Sequence, residues 1–384
     1  MPELIYLDNA ATTYPKPREV HDFMREFYST CEGSPGRTGA GVPGRIDQIV
    51  AQTRKMLCGL FGGDDPRRLT FCGNASDALN QIIQGMLSPG DHVITSRLEH
   101  NSVLRPLYHK EQVGEIEVTY IPFDGAGFIS PDDVKAAVRK NTKLVLLNHA
   151  SNVIGTVQPL AETGKVCREA GIYFAVDASQ TAGIIKIDAR EMYIDLIAFT
   201  GHKSLMGPVG IGGIYTGENV PIRATRFGGT GVFSEQRTHP EEFPYRLECG
   251  TMNIMGIAGL YSGQIWLNEQ GIERIHDREM ELWDRLWQGL QAIEGVIIYC
   301  AERRENHAPI LSFNISDLEA AEVGAILNAD YGIACRTGLH CAPLVHEGLG
   351  TDKLYGTVRF SIGPFNTEEH IDRAVAAVRE IAAE

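Results

Sequence analysis

The sequence has no apolar run approaching the roughly 20 residues that a membrane-spanning helix needs. It has no tract of clustered Lys and Arg, and its 35 basic residues are outnumbered by 49 acidic ones, giving a formal charge of −14. A nucleic-acid partner is therefore not expected. No CxxC pair occurs, and the eight cysteines are scattered at positions 31, 58, 72, 167, 249, 300, 335 and 341. Such spacing predicts free thiols, not a disulfide framework. The opening stretch MPELIYLDNAATT lacks the basic segment and apolar core of a signal peptide, so a cytoplasmic location is the expectation. No internal repeat and no low-complexity linker interrupts the chain.

What is present is ordinary globular material. The 384 residues are 43% hydrophobic and 22% charged, which suits one large domain with a smaller companion. Short apolar runs at 91–96, 143–148, 172–177, 195–200 and 209–216 read as buried strands. Helical patterns lie between them. Leu79, Ile82, Ile83, Met86 and Leu87 recur at helix spacing, and the helix over 160–171 is expected to end on Gly171. Strands alternating with helices predict an α/β fold with a mostly parallel sheet. In the last third, a long helix over 265–293, broken near Gly271, precedes shorter strands (IIYC, APILSFNI) and helices at 319–329 and 367–382. That pattern predicts a second, smaller α+β domain, with a boundary near residue 260.

Polar residues gather where the strands stop. Asn148 is followed by Ser151 and Asn152, and Asp177 by Gln180. Thr200 is followed by His202 and Lys203, and the strand over 91–96 by His100. Ligands of open α/β sheets bind beyond the carboxyl ends of the strands. The turn CGNAS, with Gly73 and Ser76 opening a helix, supplies an anion site, and Ser76 is also a plausible N-cap. A lysine near an anion site and a carboxylate is the set that pyridoxal phosphate requires: an amine for a Schiff base, a carboxylate for the ring nitrogen, and a flat face over the ring. Cys335, His340, Cys341 and His346 could be imagined as a zinc set, but their spacing matches none of the usual patterns, and no metal is expected. GAGVPG (39–44) matches GxGxxG only formally, because no strand leads into it; it reads as a mobile glycine loop.

Nine motifs in order carry a family resemblance: YLDNAATT (6–13), GNASDALN (73–80), LEHNS (98–102), SNVIGT (151–156), VDASQ (176–180), TGHKSLMGPVGIG (200–212), ECGTMN (248–253), RTGLHCAP (336–343) and GTVRFSIGPFNTEEHID (356–372). The chain resembles the class V, fold type I pyridoxal-phosphate enzymes, and within them the group II-like cysteine desulfurases and selenocysteine lyases. That resemblance implies a seven-stranded, mostly parallel sheet in a large domain of residues 18–260, with residues 1–17 and 261–384 forming the small domain. It implies Lys203 as the Schiff-base lysine, Asp177 as partner of the ring nitrogen, and His100 as the stacking group and acid–base. Asn152 and Gln180 would contact the ring hydroxyl. Ala75, Ser76, Thr200 and His202 would cradle the phosphate. Thr251 would reach the phosphate of a neighbouring subunit, which implies a homodimer. Arg359 would clamp the substrate carboxylate, beside Asn9, Ala10, Ala11 and Asn152. Cys341 would carry the sulfur as a persulfide.

The implied reaction converts L-cysteine to L-alanine and passes sulfur from Cys341 to a thiol acceptor protein. Rival reactions on the same fold are selenocysteine lyase, C–S lyase, transaminase, kynureninase-type and epimerase chemistry. A sulfur carrier without catalysis is the non-enzymatic alternative. Cys341 discriminates among the first set, and Lys203 with Asp177 argues against the last. The chain departs from group II relatives in having Leu339 in place of a second histidine. It has GSPGRTGAG (33–41) where a His-Arg element is usual, and Cys249 in place of a common alanine.

Overall fold

The computed structural model describes residues 4–30, 44–300 and 304–383. Cys31, the stretch 33–41 and all of GAGVPG except Gly44 lie outside them. Strand β1 (Ile5–Tyr6) leads into helices α1 (Arg18–Thr30) and α2 (Arg45–Leu60). Seven strands then form the main sheet: β2 (Leu69–Cys72), β3 (His92–Ser96), β4 (Glu117–Ile121), β5 (Thr142–Asn148), β6 (Tyr173–Asp177), β7 (Leu196–Thr200) and β8 (Gly212–Thr216). Their order is β2-β8-β7-β6-β5-β3-β4. Only β8 runs against its neighbours. Helices α3 (Ala75–Met86), α4 (Asn101–Gln112), α5 (Pro131–Ala137) and α6 (Leu160–Ala170) lie between these strands in the chain. The Leu144–Leu147 run of β5 is buried throughout, as a parallel strand covered on both faces requires.

The local signals mostly act as the sequence suggests. Gly171 ends α6 in the left-handed conformation, with φ 67°. The buried face of α3 is Ala78, Leu79, Ile82, Ile83 and Met86. Its N-cap, however, is Asn74: the Asn74 side chain accepts the Asp77 N–H at 3.0 Å. Ser76 therefore sits inside the first turn. The strand expected over 209–216 begins only at Gly212. A Cβ there would lie 2.6 Å from the Phe199 carbonyl oxygen and 2.8 Å from Asn74 Cα, so glycine lets β8 start tight beneath the N-terminus of α3.

The long helix expected over 265–293 is two helices. The first, α7 (Ile254–Gln270), starts earlier and packs on α1 and α2; the second is α8 (Ile272–Gln291). Gly271, at φ 82°, makes the break. Side chains up to Ile275 join the core of the main sheet. From Met280 onward they join a second core with Ile5, Leu7, Phe313 and Phe360. That core is built on β9 (Val296–Ile298), β10 (Ile310–Ile315), β11 (Ile333–Ala334), β12 (Arg336–Gly338) and β13 (Thr357–Ser361). It is completed by α9 (Ala320–Tyr331) and α11 (Glu368–Ala383), whereas α10 (Pro343–Leu349) packs its Val345 and Leu349 into the core of the main sheet. Four of these strands form an antiparallel sheet in the order β12-β13-β10-β9, and β1 pairs in parallel with β11. Among the described residues no helix is long and apolar enough to cross a membrane.

Candidate active site

Asn148, Asp177 and Thr200 are the last residues of β5, β6 and β7. They open into a cavity of about 530 Å³. The same cavity is lined by Ala75 and Ser76 from the start of α3, by His100 ahead of α4, and by Gln180, His202 and Lys203. The other part of the chain contributes Ala10, Ala11, Arg336, His340, Cys341 and Arg359, and the loop after β5 contributes Asn152. Two expected residues stand apart from it. Asn9 donates to the Ser361 carbonyl at 3.0 Å and to Asn366 Oδ1 at 3.3 Å, so its amide ties the N-terminal segment to the turn after β13. Thr251 is exposed and does not line the cavity.

One end of the cavity is built for an anion. Because the Asn74 side chain caps Asp77, the N–H groups of Ala75 and Ser76 at the helix start are left for a ligand. Facing them, Thr200 Oγ1 and His202 Nδ1 are buried without a partner among the described residues. Buried polar groups are normally satisfied, so this ring of open donors fits a phosphate group. Burial holds the His202 imidazole down at about 4, and the Lys203 and Lys16 ammonium groups add to the effect.

The reactive centre lies next to this cradle. Lys203 is partly buried, and desolvation of its amine pulls it down to about 8, while the Asp177 carboxylate opposes the shift. Asp177 Oδ1 accepts from Ser179 N at 2.9 Å and from Ser179 Oγ at 2.5 Å; its second oxygen has no partner among the described residues. The Ser102 N–H donates to His100 Nδ1 at 3.0 Å. That bond assigns Nδ1 as an acceptor, so the ring proton of the neutral imidazole is on Nε2. Burial lowers the His100 pKa, which favours this neutral form. Together with the cradle, the buried amine, the open carboxylate oxygen and the oriented imidazole fit pyridoxal phosphate.

A cationic corner closes the opposite side. Arg359 is 2% exposed. It donates through Nη1 to the Asn152 carbonyl at 2.7 Å and through Nη2 to Asp8 Oδ1 at 2.8 Å. Its Nε has no partner among the described residues. Arg336 also binds Asp8, at 3.0 Å to Oδ2. Asn152 Nδ2 donates to the His340 carbonyl at 2.6 Å and leaves Oδ1 open, and Gln180 Nε2 donates to the Ala10 carbonyl at 3.1 Å. Asp8 and Ser102 are the residues that motif reading passed over. Both lie inside quoted motifs, but Asp8 becomes meaningful only through partners more than 300 positions away.

Cys341 stands exposed at the cavity rim on the turn between β12 and α10. His340 and Cys341 both have left-handed backbones, with φ 48° and 59°, a conformation costing roughly 1–2 kcal/mol per non-glycine residue. Surrounding bonds enforce it. The Asn101 N–H donates to the Cys341 carbonyl at 2.7 Å, and His340 Nε2 bonds Thr357 Oγ1 at 2.9 Å. Burial pushes the thiol of Cys335 up to about 12, so that neighbour is a poor nucleophile. His346 is buried against Thr351 Oγ1 at 2.8 Å. Among the described residues no group of three or more His, Cys, Asp or Glu side chains could hold a metal ion.

Residues 5–374 match the family described as Aminotransferase class-V, and the chain belongs to that family. Within it, the similar proteins are cysteine desulfurases. A probable cysteine desulfurase of Methanothermobacter thermautotrophicus is 33% identical, over 98% of this chain and 94% of its own length. The cysteine desulfurase IscS of Photorhabdus laumondii is also 33% identical, over 98% of this chain and 92% of its own. The apo structure of a cysteine desulfurase from Thermococcus onnurineus NA1 superposes with a TM-score of 0.90 at 30% identity, covering 99% of this chain and 95% of that one.

Proposed function

We propose that this enzyme is a pyridoxal-phosphate-dependent cysteine desulfurase that converts L-cysteine to L-alanine and leaves the sulfur on Cys341. The observation that carries the reading is the placement of an exposed thiol, Cys341, on the cavity that also contains the buried amine of Lys203 and the guanidinium of Arg359. Transaminase or epimerase chemistry needs no thiol at that rim.

Ala75, Ser76, Thr200 and His202 would hold the cofactor phosphate, Asp177 the ring nitrogen, and Asn152 and Gln180 the ring hydroxyl, with His100 over the ring. When bound there, the cofactor supplies an electron sink for the bonds at the substrate's Cα. The protein's own work is positional and protonic. Lys203, with its amine near 8, moves the proton at the substrate Cα. Arg359 holds the substrate carboxylate with the donors that Asp8 and Asn152 leave free. The Nε2–H of His100 serves the substrate sulfur as acid and base. The Cys341 thiolate attacks that sulfur, the Cβ–S bond breaks, and a persulfide remains for transfer to an acceptor thiol.

The same reading divides the chain into a cofactor-binding part, 18–260, and a smaller part made of 1–17 with 261–384. It also takes the enzyme as a cytoplasmic homodimer, with the exposed Thr251 serving the neighbouring subunit's phosphate site, and it takes a thiol protein as the acceptor. Product analysis with L-cysteine and a reducing thiol tests the reaction. Alanine and sulfide are expected; pyruvate and ammonia would assign a C–S lyase instead.

A further inference from the structure

The carbonyl oxygen of His202 receives three donors from one short segment. The Thr13 N–H reaches it at 3.2 Å, Thr12 Oγ1 at 3.1 Å and Lys16 Nζ at 2.5 Å. A carbonyl has two lone pairs, so backbone satisfaction alone does not call for the third. Lys16 is also expensive to place there. Burial pulls its amine down to about 8, and among the described residues no carboxylate pairs with it. An ammonium withdrawn from water without a counter-ion is unfavourable. Its charge instead adds to that of Lys203 in pressing on the His202 imidazole.

The other side of the same turn explains the arrangement. Thr200 Oγ1 and His202 Nδ1 face the cavity, buried and without partners among the described residues. A cation without an anion stands behind the turn, and open polar groups stand in front of it. Lys16 itself does not line the cavity.

We propose that Lys16 is a positioning residue that completes the anion site from behind. Its ammonium is the counter-charge to the phosphate of a bound phosphate ester, and its grip on the His202 carbonyl fixes the Thr200–Lys203 turn so that the open groups face that phosphate. The inference rests on the cofactor reading given above.

The test is equilibrium titration of the apoprotein with pyridoxal phosphate and, separately, with pyridoxal, which lacks the phosphate. Wild type, Lys16→Met and Lys16→Arg are compared by the visible absorbance of the lysine-bound aldehyde. Lys16→Met is expected to weaken pyridoxal phosphate about tenfold, the size of one partly screened unit charge, and to leave pyridoxal binding unchanged. Lys16→Arg restores the phosphate ester's affinity. Equal losses for both aldehydes would mean that the residue only packs, and no loss for either would remove it from the site; both results overturn the proposal. A wild type that binds the two aldehydes alike overturns the cofactor reading, and the inference with it.

Discussion

Arg359 donates to Asp8 at 2.8 Å across 351 positions of sequence, and Arg336 grips the same carboxylate at 3.0 Å. Two guanidinium groups therefore share one carboxylate, which leaves a net positive corner in which Arg359 is buried and Arg336 stays exposed. An incoming carboxylate completes the balance, and the fork of Arg359 is already oriented to receive it.

Arg359→Ala removes charge-assisted hydrogen bonds worth roughly 1.5–3 kcal/mol, so the KM for L-cysteine should rise about 10- to 200-fold, with a smaller effect on kcat. Steady-state kinetics check this. An unchanged KM would move the clamp to Arg336. Arg359→Lys, which keeps the charge but loses the fork, should fall between the two.

Lys203→Ala should abolish both the visible absorbance of lysine-linked cofactor and turnover, because the amine and the base at Cα are the same group. A variant that keeps both would assign the link to another lysine.

Cys341→Ser should leave cofactor binding and substrate binding intact, since those belong to Lys203, Asp177 and Arg359. Sulfur transfer should collapse, because a serine hydroxyl is not ionised near neutral pH and cannot hold a sulfane sulfur. Mass spectrometry of the wild type exposed briefly to L-cysteine without reductant should find added sulfur on the Cys341 peptide. Alanine release at the wild-type rate from the serine variant, with no such adduct, sinks the desulfurase reading.

Glu279 on α8 is 2% exposed, and its Oε2 has no partner among the described residues. Burial raises its pKa well above 4.5. The folded state therefore keeps a proton that the unfolded state gives up, and wild-type stability falls as pH rises above 4.5 toward the folded pKa. Glu279→Met should stabilise the protein at pH 8 by about 1–4 kcal/mol. The gain should fade as pH drops toward the unfolded value. Denaturant titrations at acid and alkaline pH decide it: a gain independent of pH would mean that Glu279 is not the titrating group.

The strands that carry the site were readable because each is a short apolar run ending on a polar residue; β5, β6 and β7 finish on Asn148, Asp177 and Thr200. Strands β2 and β4 gave little signal: one has four residues and the other is largely half-exposed. The start of α7 was hidden for the opposite reason. From Gly256 to Leu260 it is buried on every side, so it shows no polar face by which a helical period could be recognised. Strand β1 has two residues and exists because β11 pairs with it. The cofactor side of the site was legible because its residues stand at strand ends and at a helix start, each marked by its own local motif. The substrate side was legible only in part, because Asp8, Arg336 and Arg359 meet through tertiary pairing that no local pattern records.

That pairing also orders events during synthesis. All seven strands of the main sheet, with Lys203 and Asp177, have been made by Thr216. Cys341 and Arg359 come more than a hundred residues later, and Asp8, made almost first, waits for them. A ribosome-bound chain halted before β13 thus has its reactive amine but neither the thiol rim locked to Thr357 nor the arginine that Asp8 orients. Substrate selection is the last property this polypeptide acquires.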